Sequence, residues 1–259
     1  MRFVWILILI TLSINAFSTP SARQPVSFLD PSVMIIEEKY YIGKIIKDFK
    51  FVLEDGTTHS IREFIKDKPT IILPLFYKCM TGCPIILSTT LRNISRINRD
   101  FNLLVLSFDS NDTVEDMIHF RESHYGDYTD KRVKYGILTS ESVGIFTNST
   151  GFKFFFSKRD NTFVHTLVLI FLSPEGKIVR YLIGSNPKEQ NINLALAEAS
   201  IGKFTINSVI DLAFLVCYTY DSNIRGYELN PTVVFGGLGA LLVVLTLVTS
   251  IIVKRRNTQ

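Results

Sequence analysis

Residues 232–253, TVVFGGLGALLVVLTLVTSIIV, form 22 consecutive positions without a charge. About 20 apolar residues cross the hydrocarbon core of a bilayer as a helix. Asn230-Pro231 marks the start of the run and Lys254-Arg255-Arg256 its stop. Basic residues favour the cytoplasmic side, so the tail 254–259 is expected inside the cell. So few polar positions speak against a helix buried in a protein core. The other end, MRFVWILILITLSINAFSTPSA, has one Arg, an apolar run from Phe3 to Leu12 and then small polar residues. That is the layout of a secretory signal over residues 1–18, with Ala16-Phe17-Ser18 as cleavage site. Phe3 to Ala22 carry no charge, which also suits an uncleaved anchor; the shortness of the apolar stretch favours cleavage. Together the two ends predict a single-pass membrane protein whose main domain faces an oxidising compartment: from a bacterial inner membrane into the periplasm, or the topological equivalent. Cysteines there meet an oxidising environment.

Between the ends lie a Pro/Ser-rich linker (19–39), a folded domain (40–202) and a juxtamembrane segment carrying Cys217 (203–230), before the span 232–253. The formal charge is only +4 and the interior has no Lys/Arg run, so nucleic acid is not an expected partner. IIKDFKFVLEDGTTHSI predicts a hairpin around Glu54-Asp55-Gly56, and REFIKDKP a short helix. TIILPLFY has the continuous apolar character of a strand buried on both faces. A helix is expected in PIILSTTLRNISRINRD, a second buried strand in FNLLVLSFD, and a capped helix in NDTVEDMIHFRESH. SESVGIFTNSTG predicts a helix ended by Gly151. HTLVLIFL and KIVRYLIG predict an antiparallel pair turned at Ser173-Pro174-Glu175-Gly176, and PKEQNINLALAEASIG a closing helix. The order amounts to an α/β fold, a mixed sheet with helices on both faces.

Cys79-Met80-Thr81-Gly82-Cys83 sits where a buried strand gives way to a helix, with Pro84 suited to its first turn. Free N–H groups and the positive end of the helix dipole favour thiolate at that place. It is the position of the redox pair in thioredoxin-like proteins, but three residues separate the sulfurs here, where redox enzymes typically have two. Two soft sulfurs select copper(I) or zinc over magnesium or calcium. A metal site needs a third ligand, for which imidazole is the usual partner. His119 and His124 lie on a polar helical segment and His59 follows a turn, all three as solvated residues. His165 stands before the strand TLVLIFL; alone, such a histidine is more often structural than a ligand.

Read together, IILPLFYKCMTGCP, LLVLSFDSNDT and FVHTLVLIFLSPEGKIVRYLIG resemble three signature blocks of the Sco/SenC copper-chaperone family, over about Tyr41 to Ser200. The resemblance implies a thioredoxin-like fold, with an N-terminal hairpin and a C-terminal membrane helix in this chain. It implies one copper, Cu(I) or Cu(II), held by Cys79, Cys83 and His165, and a supporting role for Asp109 near the site. The segment around Cys217, with the span after it, resembles a bacterial branch anchored at its C-terminus. Met80 departs from the family's usual loop and is expected to be a residue of the site's rim.

Three readings follow. In the first, the chain is a metallochaperone passing copper to the dinuclear copper centre of cytochrome c oxidase subunit II or to another copper protein. In the second, Cys79 and Cys83 form a redox-active disulfide, and the chain is a thiol–disulfide oxidoreductase maintaining client cysteines. In the third, the pair is a structural disulfide, which would add little stability by closing so small a loop. His165, which a redox pair does not require, places the first ahead.

Overall fold

The structure is a computed structural model that describes residues 31–126, 128–200, 215–221 and 226–256. The expected signal peptide, residues 1–18, lies outside the described residues, as do the linker to residue 30 and much of the juxtamembrane segment. The chain divides into two units, Met1–Ser32 and Val33–Gln259, and nearly all described residues belong to the second. That unit opens with α1 (Glu38–Tyr41), β1 (Lys50–Leu53), β2 (Thr58–Ser60) and α2 (Ile61–Phe64). Next come β3 (Thr70–Leu75), α3 (Gly82–Ile94), β4 (Asn102–Ser107), α4 (Val114–Tyr125), β5 (Val133–Leu138) and α5 (Ser140–Thr150). Then β6 (Phe154–Ser157), β7 (Thr162–His165), β8 (Val168–Leu172), β9 (Ile178–Ile183) and α6 (Glu189–Ser200) follow. The chain ends with β10 (Tyr218–Asp221), β11 (Gly226–Leu229) and α7 (Pro231–Arg256).

The main sheet has seven strands in the order β2-β1-β5-β4-β3-β8-β9. All six residues of β3 are buried, as its unbroken apolar run requires of a strand covered on both faces. β3, β4 and β5 are parallel, which forces helical crossovers, supplied by α3 and α4. A capping box starts α4, with Thr113 Oγ1 accepting from Asp116 N–H at 3.2 Å and Asp116 Oδ2 accepting from Thr113 N–H at 2.9 Å. On the other side of β3, β8 and β9 run antiparallel. The inner order β4-β3-β8-β9, a βαβ unit joined to a ββα unit, is the thioredoxin-like core. β1 and β2 form the expected hairpin and add it to the edge at β5.

Two departures from the sequence expectations bear on the site. The strand expected to open at His165 opens instead at Val168, and His165 ends β7 in a separate two-stranded ribbon, paired with Phe154. Pro74 supplies the reason. Phe108 N–H donates to Leu75 O on the β4 side, so by alternation Pro74 faces β8, where it has no N–H to give. The β3–β8 ladder stops at Ile72↔Ile170, and the chain ahead of β8 is free to cross toward the end of β3. The second departure is β5 itself, which the sequence did not predict because Lys134 and Gly136 interrupt VKYGIL. Glycine is needed at 136: a Cβ there would stand 2.9 Å from the Phe51 ring.

Gly151 ends α5 in the left-handed conformation, φ 70°, as expected of a helix C-terminus. A Cβ there would also collide with the ring of Tyr41. Gly151→Ala is therefore expected to cost roughly 1–3 kcal/mol, read as a lower thermal midpoint; an unchanged midpoint would mean that the turn relaxes freely.

The final helix, α7, has 26 residues and is about 39 Å long at the usual rise. Its stretch Pro231–Ser250 has a mean hydropathy of 2.3 and no burial against the protein. By length and composition it is able to cross a bilayer.

Candidate functional site

The chain leaves β3 at Phe76 and turns through Cys79 into α3. Tyr77 fixes that exit at both ends. Its backbone N–H donates to Asp112 Oδ2 at 2.7 Å, and its hydroxyl donates to Gly136 O at 2.8 Å while accepting from Gly136 N–H at 3.1 Å. The first turn of α3 has no side-chain cap from Thr81. A sulfur takes part of that role, because Cys83 N–H points at Cys79 Sγ, 3.4 Å away. Free N–H groups at a helix start stabilise an anion there.

The two thiols are thereby made unequal. Cys79 is pushed down to about 6, first by the hydrogen bond from the Cys83 thiol and then by the N–H groups of Thr81 and Cys83, against the opposing effect of burial. Cys83, fully buried, is pushed well up by burial and by the neighbouring Cys79. At neutral pH the reduced pair is one thiolate and one thiol. In a Cys217→Ser background, alkylation of Cys79 by iodoacetamide should follow a titration centred near 6. Cys83 should stay unmodified. Equal reaction of both, centred near the ordinary thiol value of about 8.5, would refute the asymmetry.

His165 reaches the pair from β7. Its Nδ1 lies 3.1 Å from Thr166 O, the distance of an N–H donating to a carbonyl. That bond leaves the Nε2 lone pair free, and Nε2 lies 3.8 Å from Cys83 Sγ. Such backbone anchoring of one ring nitrogen is what orients a metal-ligating histidine. Phe76, Phe108 and Phe152 surround the ring with centroids at 6.0, 5.0 and 5.7 Å. Burial among them pushes the imidazole pKa down, so the ring stays neutral and available as a donor. Cys79 and His165 are themselves only 6% and 9% exposed. Among the described residues, no group of three or more His, Cys, Asp or Glu side chains stands in ready metal-binding geometry. The three donors are neighbours through Cys83 rather than a closed cage.

Asp109 is half-buried beside the site and its Oδ1 accepts from the Asn111 backbone and side-chain amides at 2.9 and 3.0 Å. The acid that ties this turn to the cysteine loop is Asp112, which the sequence reading passed over. It is buried, and its Oδ2 takes both Tyr77 N–H and the Ser107 hydroxyl, each at 2.7 Å. Its place in DSNDT, between a buried strand and a helix N-cap, was the available signal. Met80 is 82% exposed at the rim of the loop. His119 and His124 are exposed and His59 half-buried, and the described partners of His59 and His124 are Thr57 and Phe120 rather than the cysteines. Cys217 is a half-buried free thiol.

No protein-family model matches the chain, and no curated protein matches it. Solved structures do. A protein of Aquifex aeolicus VF5, provisionally named for electron transfer, matches with a TM-score of 0.57 at 28% identity, over 64% of this chain and 98% of its own. BsSco, described as a member of the Sco family of cytochrome c oxidase assembly proteins with a disulfide switch, matches with a TM-score of 0.53 at 18% identity, over 62% of this chain and 96% of its own. The fold is that of the Sco proteins. A SCO1/SenC family lipoprotein of Bacillus anthracis str. Ames has the same Sco fold, with a TM-score of 0.50 at 18% identity over 61% of this chain and 96% of its own. At such identities the Sco fold is shared as a backbone, and chemistry rests on the side chains that this chain places on it.

Proposed function

We propose that this chain is a membrane-anchored Sco/SenC copper carrier that delivers copper to the dinuclear copper centre of cytochrome c oxidase subunit II, or to another copper protein. In this reading residues 1–18 export the chain, the Sco domain works in the periplasm, α7 spans the inner membrane, and 254–259 lie in the cytoplasm. The observation that carries the proposal is His165: its Nδ1 is held by Thr166 O, and its Nε2 lies 3.8 Å from a cysteine sulfur. Thiol–disulfide exchange does not require an imidazole fixed in that way. Two sulfurs and one imidazole suit copper in either oxidation state.

Copper is the cargo. Cys79, already a thiolate, is the first donor to capture it. Cys83 joins by giving up its proton to water, and the neutral ring of His165 completes the set. Asp109 and Asp112 support the loop through the 107–112 turn. Release goes by exchange, a thiolate of the acceptor replacing one donor at a time, so that the ion is never free. The test is copper titration of the reduced full-length protein in detergent micelles, without oxygen. One equivalent per chain, held by all three residues, supports the proposal; binding indifferent to all three substitutions refutes it.

The unequal thiols favour a second activity that can coexist with the first. Cys79 thiolate attacks a client disulfide, forming a mixed disulfide and releasing one client thiolate. Cys83, on losing its proton, attacks Cys79 and releases the other. The client gains two electrons and the pair becomes a disulfide. BsSco is described as having a disulfide switch. Reduction of a client disulfide that survives His165→Ala but not Cys79→Ser would identify this activity.

A further inference from the structure

The anchor is joined directly to the β10–β11 ribbon. Asn230 alone separates β11 from α7. Its N–H donates to Cys217 O at 2.7 Å, and Val234 N–H donates to its carbonyl at 3.2 Å. The β10–β11 ribbon is in turn fastened to the domain. Tyr227 hydroxyl donates to Glu198 Oε2 at 2.8 Å, and the same carboxylate forks onto Arg180 at 2.8 and 2.7 Å. The Arg180 guanidinium lies over the Tyr220 ring, 4.2 Å from its centroid, and the Tyr220 hydroxyl bonds Tyr181 O at 3.1 Å. Tyr220 also lies 3.4 Å from Glu38 Oε2. The ribbon that enters the span therefore touches α1 directly.

Beside that contact lies an exposed face rich in apolar side chains, with no described element over it. Met34, Ile35 and Tyr40 are 46%, 55% and 61% exposed; Ile35 and Tyr40 line a cavity of about 470 Å³ together with Ile36, Ile183 and the charged Glu37, Glu38 and Lys39. The base of the ribbon exposes Val216 and Leu229 as well. Lys44 Nζ sits 3.1 Å from the centre of the Tyr40 ring, and Lys39 lies next to it in sequence. Tyrosine and lysine, each with an apolar body and a polar tip, favour the membrane–water boundary. Glu37 and Glu38 offset the lysines, so apolar contact rather than net charge has to drive any seating on lipid.

We propose that the Met34–Tyr40 face rests on the bilayer surface from which α7 emerges, and that the β10–β11 ribbon holds the domain in that one orientation. The proposal rests on the reading of α7 as a membrane span. It orients the candidate site as well, since Thr166, the residue after His165, donates its hydroxyl to Val33 O at 3.2 Å.

The test uses the full-length chain with its one tryptophan removed (Trp5→Phe). Single tryptophans are placed by Ile35→Trp and, at the opposite end of the sheet, by Lys131→Trp. Each protein is reconstituted in phosphatidylcholine vesicles with ordinary or chain-brominated lipid. The expected result is that the Ile35→Trp fluorescence loses most of its intensity in brominated lipid and resists aqueous iodide, while Lys131→Trp behaves oppositely. Alkaline carbonate extraction is run alongside. Release from the vesicles would overturn the reading of α7 and the seating with it. Retention with an Ile35→Trp signal open to iodide would overturn the seating alone. Shielding from both quenchers would also overturn it, assigning the face to a second copy or another protein.

Discussion

His165→Ala will remove the copper(II) complex of this chain while leaving its cysteine pair able to oxidise and reduce. The expectation follows from the unequal tasks of the three donors. The Cys79 sulfur is set by the start of α3 and by Cys83, and the imidazole meets the pair only at Cys83 Sγ, 3.8 Å away. His165 is set by Thr166 O and by the rings of Phe108 and Phe152, which lie outside the loop. Loss of a group that merely orients a ligand costs about 10–100-fold in metal affinity, so loss of the ligand itself should exceed the upper end. The readout is the visible thiolate-to-copper(II) charge-transfer band on titration, with thiol counting before and after oxidation as the control. A band of undiminished intensity in the variant would sink the three-donor site. If thiol oxidation were lost as well, the substitution would have disturbed the fold, and His165→Gln, closer in volume, would be the variant to read.

The second large effect is expected from Asp112→Ala, in stability. Removing this carboxylate leaves Tyr77 N–H buried without an acceptor and the Ser107 hydroxyl with only the long contact to Asp109 O at 3.5 Å, at about 1–3 kcal/mol each. Part of that loss is offset because Asp112 itself is costly: burial raises its pKa, and Oδ1 has no hydrogen-bond partner, with Lys78 Nζ 3.7 Å away. A net loss of about 2–4 kcal/mol corresponds to roughly 5–15 °C in thermal midpoint for a domain of this size. Asp109→Ala, whose carboxylate serves only its own turn at Asn111, should lose far less. The pH dependence has a definite sign. A carboxyl whose pKa is higher in the folded chain binds its proton more tightly there, so its contribution falls as pH rises from the ordinary carboxylate range through the raised value. The variant should lack that slope. Equal midpoints for the Asp109 and Asp112 variants would refute the assignment of this structural load to Asp112.

Much of the sheet was legible because its signals are local. Ile71-Ile72-Leu73 and Leu103 to Leu106 are apolar runs with no other place than a covered strand, and Thr113 with Asp116 announces a helix start within four residues. The cysteine loop was legible for the same reason, as a strand end, a glycine and a proline in sequence. What escaped depends on partners distant in the chain. β5 tolerates Gly136 only because Phe51 packs over it from the N-terminal hairpin. The β6–β7 ribbon exists because Pro74, some 90 residues earlier, closes the ladder that His165 would otherwise have joined. Asp112 looks like one polar residue among several in DSNDT until Tyr77 arrives with an unpaired N–H. The ribbon beside the membrane helix is held by Arg180 and Glu198, which no local pattern singles out.

The near-complete enclosure of both sulfurs also bears on rates. Under the proposed function, an acceptor thiolate would reach a copper held by Cys79 and Cys83 only once the loop between them opens. Raising the acceptor concentration then speeds transfer only up to the opening frequency, after which the rate levels off. Small chelators face the same ceiling. A carrier built this way guards its load by slowness, and its proper recipient is the one whose docking makes the loop open sooner.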